Sequence, residues 1–181
     1  MVVNEKALLG RIKDCYKSGG YTVMVDGGRH TIIGGTWAVE ISSENLPRDV
    51  IGLMAVHMGF LPEPGSAYKI TKAKDGAQVQ SMIREDAEAL KEALKGTYVG
   101  TPVARTGITM DGCNVWQQIA GTLVHLIRPD LEELFRKREE LILAGNTFRA
   151  CGEISKVWVL EALTDPEDKK INCLSSIRWT A

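Results

Sequence analysis

Two Gly-Gly pairs and one of the three histidines fall within residues 25 to 37, which read VDGGRHTIIGGTW. Glycine-rich loops cradle phosphates where they connect a strand to the N-terminus of a helix. Here β-branched residues flank both pairs, as they do at two-residue hairpin turns, which need positive φ angles. The stretch therefore predicts the turns of a small sheet rather than a phosphate loop, and no cofactor is expected.

His30 follows the first of these turns, at the rim of the predicted sheet. An exposed rim position would leave its imidazole available as a general base near neutral pH, so His30 is a candidate catalytic residue. The alternative is a purely structural histidine. His57 lies within a very apolar helix, which favours a hydrogen-bonded core position, and His125 is expected on the polar face of another helix.

Asp111 and Cys113 are further candidates for chemistry, in the segment TMDGCNVWQQIAGTLVH, 109 to 125. Cys113 comes just before a predicted helix, whose dipole would lower the pKa of the thiol. His125 would lie about 16 Å along that helix at ~1.5 Å per residue, too far to contact the thiol. A catalytic site here therefore requires the fold to bring His30, Asp111 and Cys113 together.

The cysteines and histidines show no metal-binding spacing, because no C-x-x-C or H-E-x-x-H motif is present. No metal site is therefore expected. The N-terminus reads as a helix rather than a signal peptide. Together with four scattered cysteines, this favours free thiols in a reducing compartment, and we predict a cytoplasmic protein.

The charge balance gives no general attraction to nucleic acid, since 22 Lys and Arg face 23 Asp and Glu, a formal net charge of -1. A local site would need Lys69, Lys72 and Lys74 to share a surface with Arg105 or Arg136. No apolar run approaches the ~18 residues of a membrane span. Neither nucleic acid nor a membrane is an expected partner.

Apolar periodicity predicts the elements that would position these residues. Helices are predicted from Asn4 to Gly19 and over 48–59, 79–96, 115–127 and 130–145. Strands are predicted within 21–41 and over 67–73, 102–110, 147–155, 156–163 and 171–179, with a charged loop over 164–170. This order indicates an α+β fold with antiparallel meander sheets and about four to five helices packed on one side. The chain is expected to form a single compact domain, 1–181.

Two-residue turns in the meander would pair Asp26 with Arg29 and Ile32 with Trp37. Side chains that pair directly share a face of the sheet. One face is then apolar apart from His30. The other carries Asp26, Arg29 and Glu40, which predicts an exposed row of ion pairs.

The sequence contains no catalytic motif, so it predicts a non-catalytic protein-binding or regulatory module. Its ligand would be a protein partner or a second copy of the chain. The candidate contact residues are Met54, Met58 and Phe60, because their helix is more apolar than one small sheet face needs. These side chains should then be partly exposed. The alternative is a small hydrolase-like enzyme with its site near His30 and the Asp111 to Cys113 turn.

Overall fold

The computed structural model describes residues 1–97, 99–163 and 168–178, which contain five α-helices and eleven strands. The helices are α1 (Glu5–Ser18), α2 (Arg48–Met58), α3 (Arg84–Lys95), α4 (Pro129–Glu132) and α5 (Lys169–Ser175). The strands are β1 (Tyr21–Asp26), β2 (Arg29–Ile33), β3 (Trp37–Ser42), β4 (Ala67–Ala73), β5 (Gly76–Ser81), β6 (Thr101–Met110), β7 (Cys113–Gln118), β8 (Val124–Ile127), β9 (Ile142–Ala144), β10 (Thr147–Cys151) and β11 (Ser155–Leu160).

The eleven described strands form one large sheet in the order β5-β4-β1-β2-β3-β11-β10-β9-β6-β7-β8. Every pair of neighbours in this sheet is antiparallel. The predicted mixture of helices with antiparallel strands is therefore confirmed. The sheet is much larger than the short meanders expected from the sequence.

The first hairpin has the predicted register, with Asp26 opposite Arg29 across Gly27 and Gly28. Both glycines have positive φ, 52° and 74°, as a type I′ turn requires. In the second hairpin Ile32 lies opposite Val39 rather than Trp37, because the turn is at residues 35–36 instead of 34–35, and the Gly34 N–H donates to the Trp37 carbonyl oxygen at 2.8 Å. A shift of two residues preserves the faces, so the apolar face is buried as predicted.

The two faces of the meander pack against different helices. The predicted apolar face joins the main core, which includes Leu8 of α1 and Met54 of α2. The opposite face contributes Met24 and Ala38 to two smaller clusters, which Ala87 and Leu94 of α3 cover. Helices therefore lie on both faces of the sheet. The expectation of packing on one side was wrong because the second face also carries apolar residues.

Helices α1 and α2 have the predicted bounds within one or two residues. The Asn4 side chain accepts a hydrogen bond from the Ala7 N–H, as expected of an N-cap. Gly59 ends α2 in the left-handed conformation, with φ of 78°. Local capping and periodicity were sufficient to predict both helices.

The other three predicted helices differ from the structure: one is shorter, one is a hairpin of two strands, and one is helical only at its start. Residues 79–81 belong to β5, so that helix starts only at Arg84. The predicted helix 115–127 is the β7–β8 hairpin, and α4 occupies only the start of 130–145. Val79, for example, lies opposite Ile70 of β4. Pairing with strands elsewhere in the sheet overrides local helix propensity at these positions.

The C-terminal strand predicted over 171–179 is instead the helix α5 as far as Ser175. The Asp168 side chain caps this helix by accepting a hydrogen bond from the Lys170 N–H. Of the predicted charged loop 164–170, residues 164–167 lie outside the described residues, as does Trp179. The apolar side of α5 covers the outer face of β6 to β8.

Candidate functional site

His30 lies on β2, half-buried, with its Nδ1 atom 3.0 Å from the Ser43 hydroxyl oxygen. Burial lowers the pKa of His30, since the charged imidazolium loses hydration. The contact with Ser43 holds the His30 side chain against the segment that follows β3. His57 has the expected hydrogen bond, 3.0 Å to the Tyr21 hydroxyl, and stacks on Tyr16, but it is half-buried rather than in the core.

The lowered pKa of His30 predicts an acid-sensitive contribution to stability. As the pH falls below the ordinary value of 6.5, the unfolded chain binds a proton that the folded chain resists, so the free energy of unfolding falls. We expect His30→Gln to reduce this loss of stability between about pH 7 and pH 5. Urea unfolding across that range measures it. Burial also lowers the pKa of His57, so part of the loss of stability at low pH should remain in His30→Gln. A pH dependence identical to that of the wild type would contradict the prediction.

Asp111 is the first residue of the two-residue turn between β6 and β7, and Cys113 follows that turn. Asp111 lies 3.4 Å from the Lys170 ammonium of α5. Cys113 is the first residue of a strand, so no helix dipole acts on its thiol. Burial instead raises the pKa of Cys113, and the expected activation of the thiol was wrong.

The fold does not bring the three candidate catalytic residues together. His30 is on β2, and β3, β11, β10 and β9 lie between β2 and the β6–β7 hairpin that carries Asp111 and Cys113. Within residues 1–97, 99–163 and 168–178, no three His, Cys, Asp or Glu side chains are grouped to hold a metal ion. The hydrolase-like alternative therefore lacks its assembled site.

His125 and Glu161 form an acid–histidine pair that the sequence did not indicate. The His125 Nδ1 atom lies 3.1 Å from a Glu161 carboxylate oxygen, and its Nε2 atom lies 3.2 Å from the Gln118 amide nitrogen. A catalytic histidine held in this way would present its second nitrogen to a hydroxyl or thiol. Here that nitrogen contacts an amide. The pair anchors residue 161 beside β8.

The sequence predicted an exposed row of ion pairs that includes Glu40, but the Glu40 side chain is buried. Its carboxylate lies 3.0 Å from the Lys156 ammonium, 3.4 Å from the Arg29 guanidinium and 4.0 Å from the Lys91 ammonium. Asp26 pairs separately with Arg84 of α3. The position of α3 over this face covers Glu40, which periodicity alone did not indicate.

A cavity of about 380 Å³ lies between the N-termini of α1 and α2. Glu5 and Lys6 line one side, and Arg48 and Asp49 line the other. Helix N-termini attract anions, but each cation here is adjacent to a carboxylate. The lining charges cancel, so the cavity has no evident preference for a charged ligand.

Two of the three candidate contact residues, Met54 and Met58 on α2, are in the core. Met54 is completely buried and Met58 is 6% exposed, because α2 packs this side against the main core. The expectation that they would be partly exposed was wrong. Phe60 is 43% exposed, and its ring lies 5.2 Å from the ring of Tyr68 in an edge-to-face contact.

The exposed apolar residues in this region are Val56, Phe60 and Leu61, which we call the α2 apolar end. Val56 is 80% exposed and Leu61 is 54% exposed. Val56 lies on the opposite side of α2 from Met54, as 100° per residue requires. Val56 and Leu61 were not among the contact residues predicted from the sequence, although the helical spacing of the buried residues identifies Val56 as exposed.

Of the basic residues considered for nucleic-acid binding, the three lysines lie towards the opposite end of the sheet from Arg105. Lys69 and Lys72 are on β4, beside the β5 edge, and Lys74 follows them. Arg105 is on β6, near the opposite end of the sheet, 3.8 Å from the buried Glu132 carboxylate. None of the helices in the described part of the chain is long and apolar enough to cross a membrane.

Comparison with known proteins gives no family. No family model matches the chain, and no curated protein matches it. A putative DNA polymerase III beta subunit from Eubacterium rectale is similar in structure, with 8% identity over 93% of this chain and a TM-score of 0.40. The DNA polymerase III beta chain from Streptococcus pneumoniae gives 10% identity over 94% and a TM-score of 0.36. The chain spans 66% and 67% of these structures, respectively.

Proposed function

We propose that the chain is a non-catalytic protein-binding module that associates with a second copy of itself through the α2 apolar end. The observation that carries this proposal is the 80% exposure of Val56 together with the exposed side chains of Phe60 and Leu61, which follow it by four and five residues. When another protein covers apolar side chains on a surface, binding is favoured by about 25 cal/mol per Å² of apolar area buried.

The α2 apolar end is also held in place before any partner binds. Gly59 ends the helix with a backbone hydrogen bond from its N–H to the Ala55 carbonyl oxygen, 2.8 Å long. The edge-to-face contact with Tyr68 orients Phe60, and Pro62 is buried next to Leu61. A fixed aromatic anchor loses little conformational entropy on binding, which favours association.

Val56→Asp tests this surface. A charge in the centre of an apolar contact is costly, so we expect the dissociation constant for self-association to rise about tenfold or more. The side chain is exposed, so the free energy of unfolding should change by only about 0.5 kcal/mol. Sedimentation equilibrium over a range of concentrations measures both the stoichiometry and the affinity.

Thr36→Asp is the matched control, because it adds the same charge at an exposed turn away from α2. It should leave association unchanged. A wild-type protein that stays monomeric at all concentrations, or equal affinities for wild type and Val56→Asp, would overturn the proposed surface. The cytoplasmic location, the single domain and the absence of nucleic-acid binding stay predictions.

A further inference from the structure

The strand β5 forms one end of the sheet, and its hydrogen-bonding pattern defines which of its residues face outward. The Met82 N–H donates to the Ala67 carbonyl oxygen at 2.9 Å, in direct register with the β4–β5 pairs. Every second residue then bonds to β4. The backbone N–H and C=O groups of Ala77, Val79 and Ser81 therefore point away from the sheet.

The opposite end of the sheet is covered by the chain itself. The Leu126 carbonyl oxygen of β8 accepts a hydrogen bond from the Ala162 N–H at 2.9 Å. The N–H groups of Leu126 and Val124 donate to the Glu161 carboxylate and the Ser175 hydroxyl, at 3.3 and 3.4 Å. No strand of the described chain pairs with the outer side of β5 in the same way.

The β5 edge also lacks the features that prevent strands from pairing between molecules. Proteins block exposed edges with charged side chains, proline or bulges. The six residues of β5, GAQVQS, include no charge and no proline, and their register with β4 is regular. Gln78 and Gln80 are exposed on one face, and Val79 packs partly against the core on the other.

We propose that the β5 edge pairs with the β5 edge of a second copy, antiparallel about a two-fold axis at Val79. In this register Val79 faces Val79 of the second copy, and Ala77 faces its Ser81. All three outward residues then form paired backbone hydrogen bonds, giving six across the interface. Gln78 lies beside Gln80 of the second copy, where each amide can both donate and accept.

This pairing deepens the proposed function and rests on it, because it defines how the second copy approaches the α2 apolar end. Helix α2 contacts β5, whereas α1 contacts β1 and β4, so α2 lies over the edge strand. A two-fold axis perpendicular to the sheet keeps equivalent helices on the same face. The two α2 helices would then lie on either side of the axis, above the joined strands.

Amide hydrogen exchange tests the strand pairing without any substitution. We expect the N–H groups of Ala77, Val79 and Ser81 to exchange about tenfold more slowly at concentrations where the dimer forms than in dilute solution. Gln78 and Gln80 are the internal controls, since their N–H groups bond to β4 in either state. Exchange at Ala77, Val79 and Ser81 that does not depend on concentration would overturn the pairing.

Paired charge variants test the register. Gln78→Lys with Gln80→Lys places two like-charge pairs across the axis, and we expect the dissociation constant of the dimer to rise about tenfold. Gln78→Lys with Gln80→Glu places opposite charges there, so the wild-type affinity should be kept or improved. Gln78 and Gln80 are exposed, so neither double variant should change the folding of the chain. Thermal unfolding checks this. Equal affinities for the two double variants would overturn the register.

These results separate the strand pairing from the α2 surface. If Val56→Asp weakens the dimer and the two glutamine double variants have equal affinities, the strand pairing is contradicted and the proposed function is supported. A dimer that responds to the charge pairs but not to Val56→Asp supports the strand pairing and contradicts the α2 surface. A strictly monomeric wild type overturns both.

Discussion

Gly34→Ala is expected to lower the free energy of unfolding by about 2 kcal/mol, although alanine is an ordinary residue for a hairpin loop. A Cβ atom at Gly34 would overlap the indole ring of Trp37. Trp37 is 2% exposed within the main core, so its ring has no room to move away. Urea unfolding followed by circular dichroism measures the loss.

A double-mutant cycle identifies the cause. Trp37→Ala alone should cost about 3–5 kcal/mol, since it removes a large buried side chain. In that background Gly34→Ala should cost close to nothing, because the overlapping ring is absent. Gly35→Ala is the matched control, since nothing lies within 4 Å of its Cβ position. A full cost of Gly34→Ala without the Trp37 ring would show that the overlap is not responsible.

Glu132→Ala is expected to lower the free energy of unfolding by about 3 kcal/mol. The Glu132 side chain is 1% exposed and accepts hydrogen bonds from the Asn114 amide at 2.5 Å and the Trp116 indole N–H at 3.4 Å. Both donors are buried on β7 and would lose their acceptor. Arg105 and Arg138 lie 3.8 and 3.4 Å from the other carboxylate oxygen.

Two variants define the origin of this loss. Glu132→Gln keeps an acceptor for Asn114 and Trp116 but removes the charge beside the arginines, which are 43% exposed. We therefore expect it to cost only about 1 kcal/mol. Glu133→Ala, at the exposed neighbouring position, should change stability by about 0.5 kcal/mol or less. If Glu132→Ala and Glu133→Ala unfold at the same urea concentration, the buried carboxylate is not stabilising.

The sequence alone determined the features that depend on neighbouring residues. The positive φ angles at Gly27 and Gly28 define the first turn, and alternation of apolar residues defines the faces of β1 to β3. The Asn4 cap and the glycine after Met58 define the two N-terminal helices. In each case the relevant interactions lie within a few residues of each other, so the pattern is sufficient.

Tertiary structure decided where helix gives way to strand in the middle of the chain. Val79 and the segment 115–127 contain residues that fit either element, and pairing with a neighbouring strand selects the strand. Contacts with distant residues also decide the exposure of Met54 and Phe60, two apolar residues of one segment, of which only Phe60 is exposed. Which side of a helix is buried, and which strand is left at an edge, depends on contacts between residues distant along the chain, which periodicity does not encode.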